Sequence, residues 1–227
     1  MKKLLILAMA LMLPLAVAAC DDDDNPAAPT PTPTGSANVI HASPDAPGVD
    51  LIVDGKKVGT DLQFPNNTGY VKLNEGTRNV KVNVTGTTTT AIDADLMVEA
   101  GTYYSVFAVD TVASIEPLVL EDDLTAPAAG KSHVRFVHLS PNAPAVDITL
   151  SDGTVVFGNY AFKAASPFTP LDAGTYPLQV RLQGTSTVVL DLGNVTVAAG
   201  KIYTVFAKGL VGGAGDQALG AEIIVNK

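Results

Sequence analysis

The chain has 227 residues, of which 47% are hydrophobic and 16% are charged, with a single Cys and three His. This hydrophobic content is enough for a buried core and excludes a wholly disordered chain. A formal net charge of −9 argues against nucleic-acid binding, which needs Lys and Arg to neutralise phosphates. One Cys rules out an intramolecular disulfide, and three His leave little material for a metal centre. We therefore expect no nucleic-acid partner, no metal and no cofactor.

The first 20 residues, MKKLLILAMALMLPLAVAAC, have the pattern of an export signal. Lys2 and Lys3 precede an apolar stretch that is too short to span a bilayer as a mature helix. Val17 to Cys20 resemble the lipobox of bacterial lipoproteins, in which the cysteine sulfur receives a diacylglycerol. The resemblance implies a signal peptide at 1–19, cleavage before Cys20, and a protein held at a membrane by its acylated N-terminus, because two or more acyl chains anchor a protein stably.

Residues 20–36 are predicted to form the lipidated Cys and a disordered tether rich in Asp, Pro and Thr. Prolines favour an extended chain, and at about 3.1 Å per residue the tether reaches at most roughly 50 Å. Asp21 directly after the Cys resembles an inner-membrane retention signal of enteric-type bacteria, whereas the run 21–24 resembles a surface-export signal of Bacteroidetes. A plain solvated spacer is the third interpretation. We expect a lipid-anchored location in the bacterial cell envelope, on the periplasmic side of the inner or outer membrane or at the cell surface.

The rest of the chain contains one sequence pattern twice. HASPDAPGVD at 41–50 aligns with HLSPNAPAVD at 138–147, with seven of ten positions identical. AGTYYSVFA at 100–108 aligns with AGKIYTVFA at 199–207, with six of nine identical. These blocks predict two homologous domains at 37–124 and 132–227. The small-residue linker 125–131 is expected to act as a hinge, with few contacts between the domains.

Within each copy, apolar residues alternate with polar ones, and Gly, Pro, Asn or Asp recur about every ten residues, a pattern typical of β-strands. Asp54-Gly55 and Asp152-Gly153 predict hairpin turns after strands that begin at Val49 and Val146. Further strands are predicted at 69–73, 78–84, 91–98, 102–110 and 114–121, with counterparts in the second copy. The expected fold is all-β, with two tandem immunoglobulin-like antiparallel β-sandwich domains after the signal peptide and tether.

Two motifs occur in both copies: H-x-S-P-x-A-P-x-V-D, and A-G-x-x-Y-x-V-F-A some fifty residues later. Together they resemble a bacterial family known as domain of unknown function DUF4397. The resemblance covers nearly all of the chain beyond the tether. It implies extracytoplasmic β-domains, often in tandem and attached to membrane or wall, and it implies no particular activity.

The H-x-S-P block supplies the candidate ligand residues, because its His and Asp side chains could converge around a turn. The candidates are His41, Asp45 and Asp50 in the first copy and His138, Asn142 and Asp147 in the second. Asn in place of Asp removes one carboxylate from the second copy and weakens a metal site there. The competing interpretation is a rigid corner between two strands, in which proline fixes φ, Asp or Asn caps the backbone, and the His is hydrogen-bonded at the core margin. The four prolines of the two corners are Pro44, Pro47, Pro141 and Pro144.

Tyr104 and Tyr203 each lie three residues after a Gly, near the start of a predicted strand. This placement is similar to the tyrosine corner of β-sandwiches, so both side chains are predicted to be buried and bonded to a turn.

The sequence contains no nucleophile elbow and no phosphate-binding loop. We therefore expect no enzyme but a lipid-anchored cell-envelope protein, whose tandem sandwiches serve as an interaction, adhesion or scaffold module for an unknown envelope protein or glycan. The alternative is a solute- or divalent-cation-binding lipoprotein that uses the two His/Asp corners or the cleft between the domains.

Overall fold

The computed structural model describes residues 31–227. The predicted signal peptide, Cys20 and most of the tether lie outside this range. Within it the chain folds as two β-sandwiches of eight strands each. The first strand begins at Thr34, three residues before the expected domain start, because Gly35 already pairs with Leu73. Within residues 31–227 no helix is long and apolar enough to cross a membrane.

The first sandwich contains strands that match all five of the further predicted ranges to within two residues. Its strands are β1 (Thr34–His41), β2 (Val49–Val53), β3 (Lys56–Leu62), β4 (Asn67–Asn74), β5 (Gly76–Val84), β6 (Thr90–Val98), β7 (Tyr103–Val109) and β8 (Glu116–Glu121). They form two sheets, with strand orders β4-β1-β7-β8 and β3-β2-β5-β6.

The second sandwich repeats this plan. Its strands are β9 (Lys131–His138), β10 (Val146–Leu150), β11 (Val155–Tyr160), β12 (Thr169–Asp172), β13 (Gly174–Leu182), β14 (Val188–Val197), β15 (Ile202–Lys208) and β16 (Gly220–Val225). The sheet orders are β12-β9-β15-β16 and β11-β10-β13-β14, so each strand of one copy has its counterpart in the other. The predicted all-β tandem fold is confirmed.

One strand pair in each copy is parallel rather than antiparallel. β1 runs beside β7, and β9 runs beside β15. The parallel pairing arises because the corner after His41 or His138 carries the chain across to the other sheet, so the first strand does not form a hairpin with the second.

Both predicted hairpins are present, because β2 pairs with β3 and β10 pairs with β11, but only the first has a two-residue turn. Asp54 and Gly55 have φ values of 48° and 75°, as a two-residue type I′ turn requires. In the second copy only Gly153 has a positive φ, and four residues, 151–154, separate β10 from β11.

The expectation of a hinge with few contacts is wrong. Each sandwich has its own core, but a third core lies between the two copies. It is formed by Ile40, Ala42, Phe107 and Val109 from the first copy and Val137, Leu139, Phe206 and Ile224 from the second. Residues 32–227 accordingly form one compact unit. The physical reason is that β1, β7, β9 and β15 carry apolar side chains on both faces, so their outer faces must also be covered.

The two copies meet through equivalent surfaces. Phe107 and Phe206 occupy the same position in β7 and β15, and their rings meet edge to face with centroids 5.9 Å apart. Such contact between equivalent residues is the property of an interface with two-fold symmetry. The duplication therefore produced an internal counterpart of a symmetric dimer.

Equivalent loops of the two sandwiches lie at the same end of the two-sandwich unit. At one end, which we call the corner end, the Lys208 ammonium lies 5.3 Å from the Phe64 ring centroid and Lys163 pairs with Glu116. At the opposite end, the tether end, the Lys227 ammonium donates to the Leu124 carbonyl (2.9 Å). The corner end carries the loops 42–48, 63–66, 85–89 and 110–115 of the first copy and 139–145, 161–168, 183–187 and 209–219 of the second. β1 begins at the tether end and runs toward the corner end.

Candidate functional site

The two candidate histidines lie at the ends of β1 and β9, with no exposed surface. Nε2 of His41 lies 3.0 Å from the Pro47 carbonyl, and Nε2 of His138 lies 3.2 Å from the Pro144 carbonyl. Because a carbonyl can only accept, Nε2 carries the proton in both rings. Burial lowers the pKa of both histidines, so both are neutral near pH 7. Each ring therefore ties the strand end to the proline corner.

Asp45 and Asn142 hold a neighbouring loop at the corner end. The Asp45 carboxylate accepts from the backbone N–H of Val112 (2.8 Å). Asn142 accepts from the N–H of Val211 (2.9 Å) and donates to the carbonyl of the same residue (3.1 Å). Because both side chains act as acceptors of one backbone N–H, Asp and Asn can perform the same task here. Asn142 at the position of Asp45 would weaken a metal site, but it leaves this structural role unchanged.

Asp50 and Asp147 are buried at the start of the second strand of each copy. Asp50 accepts from the Lys57 ammonium (2.6 Å) and from the backbone N–H groups of Asp61 (3.0 Å) and Gly86 (3.3 Å). The hydrogen bond from Lys57 is the main reason why the pKa of Asp50 lies below its usual value.

Asp147 makes the same backbone contacts as Asp50, without a lysine. It accepts from the N–H groups of Asn159 (2.7 Å) and Gly184 (2.8 Å). Asp61 and Asn159 both have positive φ, 49° and 64°, at the irregular end of β3 and β11. Each aspartate thus joins its strand to a bulge and to a hairpin tip.

The six candidate side chains do not converge on one point. In each copy the His contacts a proline carbonyl, and the Asp or Asn contacts the 110–112 or 209–211 loop. The second Asp contacts one further strand and a hairpin tip. Within residues 31–227 no three His, Cys, Asp or Glu side chains are grouped so that they could hold a metal ion. The arrangement can brace loops, and it offers no assembled set of ligands. The remaining candidate, Cys20, lies outside the described residues.

The predicted tyrosine contacts are present. The Tyr104 hydroxyl accepts from the backbone N–H of Glu99 (3.2 Å), and the Tyr203 hydroxyl accepts from that of Ala198 (3.1 Å). Both residues are buried. Each ring fixes the turn that precedes its strand.

A buried ion pair between the copies was not predicted from the sequence. The Arg135 guanidinium lies 2.8 Å from the Asp122 carboxylate, and both side chains are almost fully buried. Arg135 also donates to the hydroxyls of Ser105 and Thr204, each at 3.0 Å. Burial and the nearby Asp122 raise the pKa of Tyr70, whose hydroxyl donates to the same carboxylate. This network locks the two sandwiches together.

The corner end of the second sandwich also contains a pocket of about 330 Å³. Its polar lining residues are His138 and Ser140, and the rest are apolar side chains and a glycine. Those residues are Ala143, Pro144, Val146, Val180, Leu182, Val189, Leu190, Ala207, Val211, Leu219 and Gly220. No simple sequence signal marks this pocket, because its walls come from five separate segments.

A family model for a domain of unknown function, DUF4397, matches residues 35–149 and 149–226. The chain belongs to the DUF4397 family. The two matched segments meet at Thr149, inside β10. The boundary between the sandwiches lies earlier, between β8 and β9, because in the described residues no strand of β1 to β8 pairs with any strand of β9 to β16. Among curated proteins, none matches this chain significantly.

The structure gives the first repeated motif, H-x-S-P-x-A-P-x-V-D, a physical meaning. Its His, its Asp or Asn and its final Asp each make the same kind of backbone contact in both copies. The second motif supplies the Tyr that fixes the preceding turn and the Phe that meets its counterpart between the copies. These residues hold the path of the backbone in both copies, which we call the backbone frame.

Proposed function

We propose that this chain is a non-enzymatic, lipid-anchored protein of the bacterial cell envelope that presents its corner end to a partner. The lipobox-like segment ending at Cys20 supports the anchor, and the acidic, proline-rich segment after it supports a spacer. The partner in this proposal is an envelope protein or glycan, and the acidic charge argues against nucleic acid.

The observation that carries the proposal is the polarity of the two-sandwich unit. The chain enters β1 at the tether end, so an acyl anchor at Cys20 would be connected to that end. The eight corner-end loops, four from each copy, lie at the other end. The third core and the Arg135–Asp122 pair hold these loops in one fixed arrangement. Loops on a rigid β-scaffold are a common place for recognition.

The corner-end loops expose side chains suited to contact. Val112 and Val211 are 47% and 50% exposed, and they occupy equivalent loop positions held by Asp45 and Asn142. The hairpin tips TGTTT at 85–89 and QGTST at 183–187 add hydroxyl groups without charge. This end therefore offers apolar and hydroxyl contacts beside the exposed carboxylates of Asp45 and Asp216.

Site-specific photo-crosslinking in intact envelopes tests the polarity. A benzoylphenylalanine replaces exposed Thr88 or Ser186 at the corner end, and in matched controls it replaces exposed Glu75 or Ala173 at the tether end. We expect a discrete adduct from the corner-end positions and none from the tether-end positions. Equal adducts at both ends, or adducts at the tether end only, would contradict the proposal.

The anchor is tested separately with labelled palmitate. The natural chain is expected to incorporate label and to sediment with membranes, whereas Cys20→Ser should do neither. Label that persists in Cys20→Ser would show that the anchor assignment is wrong.

A second candidate function is solute binding, and the pocket beside His138 is the observation that favours it. This candidate places the ligand at one of the two corners, although the His and Asp side chains would act as its frame rather than as its ligands.

A further inference from the structure

The pocket at the corner end of the second sandwich has the size of a ligand site. Its volume of about 330 Å³ falls at the lower end of the range of roughly 300–1,000 Å³ that is usual for small-molecule pockets. Val146, Val180 and Ala207, all buried core residues, form its floor. Val189 and Val211 lie at its open side, where they are 37% and 50% exposed.

The lining determines what chemistry the pocket can take. No Lys, Arg, Asp or Glu lines it. Ser140 donates to the Gly209 carbonyl (2.7 Å), and Nε2 of His138 is held by the Pro144 carbonyl. Burial keeps His138 neutral by lowering its pKa. A charged ligand would lose its hydration here without gaining a partner, whereas an apolar one would lose nothing comparable.

Comparison with the first copy indicates that the pocket depends on residues particular to the second. Leu219 and Leu190 line it and are half-buried. The strand registers equate Leu219 with Ile115 and Leu190 with Ile92. Ile115 packs against the first sandwich core, which contains Ile92, and Leu190 likewise packs against the second core. The difference between the copies lies at Leu219, which lines the pocket, whereas its counterpart Ile115 packs against the first core.

We propose that this pocket binds an uncharged, apolar small molecule. The inference names the ligand chemistry for the solute-binding candidate and is independent of the partner at the corner-end loops. Entry is from the corner end, past Val189 and Val211.

The test uses the chain from Asp21 to Lys227, which includes the whole compact unit and carries no acyl group. The probe is N-phenyl-1-naphthylamine, an uncharged dye whose fluorescence rises in apolar surroundings. Its sulfonated analogue, 8-anilinonaphthalene-1-sulfonate, has the same rings and a negative charge. We expect saturable binding of the uncharged dye at one site per chain, and at least tenfold weaker binding of the sulfonate.

Variants of the pocket have matched controls in the first copy. Ala143→Phe fills the pocket, and Val211→Glu places a charge at its mouth. Their counterparts, Ala46→Phe and Val112→Glu, make the same changes at equivalent positions that do not line it. We expect the pocket variants to weaken dye binding at least tenfold and the controls to change it less than twofold. Val211 is exposed, so Val211→Glu should keep the fold, and circular dichroism verifies this for all four variants.

Three results would overturn the proposal: no saturable binding of the uncharged dye, binding that survives both pocket variants, or equal losses in variants and controls. The crosslinking experiment has a different readout, so a failure here is distinguishable from a failure of the corner-end proposal.

Discussion

The two sandwiches share a backbone frame and differ in what fills it. Strand register equates Val39, Gly59 and Leu62 of the first copy with Phe136, Phe157 and Tyr160 of the second. The Phe136 ring contacts both other rings, with centroids 6.3 and 5.6 Å away. The first core is aliphatic apart from Tyr104 and retains a cavity of about 60 Å³, against about 30 Å³ in the second.

Hydrogen bonds from side chains to the backbone explain how one backbone frame accommodates two different sets of core side chains. In both copies a His binds the corner, an Asp binds the bulge and hairpin tip, and a Tyr binds the turn. These contacts involve backbone groups, so they fix the chain path without depending on the core side chains. Apolar residues of roughly suitable volume can then vary. Substitutions in the core, in the polar contacts to the backbone and in the contact between the copies should therefore affect stability differently in the two copies.

The largest expected effect concerns the position where the copies differ in charge. Arg135→Ala leaves Asp122 buried without its partner, and removing one member of a buried pair typically costs about 3–5 kcal/mol. The equivalent Asn38 is buried, and its side-chain oxygen has no hydrogen-bond partner in the described structure. Asn38→Ala should therefore cost much less. Urea unfolding of both variants measures the difference, and equal midpoints would show that the pair does not hold the copies together.

Exchanging the core residues should give the next largest effect. Phe136→Val removes much of a buried ring, and by comparison with Phe→Ala changes it should cost about 2 kcal/mol. Val39→Phe adds a ring next to the cavity of the first core, so filling and crowding should nearly cancel, within about 1 kcal/mol. Urea midpoints again report both. If Val39→Phe lost as much stability as Phe136→Val, the backbone of the first copy would be adapted to its aliphatic core side chains.

Sequence patterns predicted the strands and the corners well, because both depend on local residues. Alternation and turn residues determine β4 to β8, and Pro with Asp or Asn determines the corners. The third core was not predicted, although Val106 to Val109 form a continuous apolar run that is typical of a strand covered on both faces. The Arg135–Asp122 pair and the pocket depend on which distant segments meet, and no local pattern in a single sequence reports that.

Acid should weaken both copies through their histidines. Burial lowers the pKa of His41 and His138 in the folded chain below the ordinary value near 6.5, so below that pH the unfolded chain binds more protons. Stability should therefore be complete above about pH 6.5 and should fall as the pH drops from there toward the folded-state pKa.

Urea midpoints between pH 7.5 and 5 measure this effect. His41→Gln with His138→Gln should flatten the dependence in that range, whereas each single change should remove part of it. Asp50 and Asp93 have lowered pKa values, and they contribute only near and below pH 4, so they do not obscure the histidine effect. An unchanged slope in the double variant would show that neither histidine titrates on unfolding.

The smallest expected effect is that of the corner prolines. Pro47→Ala and Pro144→Ala keep the carbonyl that accepts from the histidine and remove only the restriction on φ, so each should cost about 0.4–1 kcal/mol through the greater freedom of the unfolded chain. His41→Ala should cost more than Pro47→Ala, since it removes a fully buried ring together with its bond to the corner. Urea unfolding of the three variants, measured together, distinguishes the contribution of the backbone frame from that of the core side chains. Because the tie is the same in both copies, the two proline variants should shift the midpoint equally, despite the different cores behind them. Unequal shifts of the midpoint would mean that the core side chains, and not the backbone frame alone, determine the path of the corner.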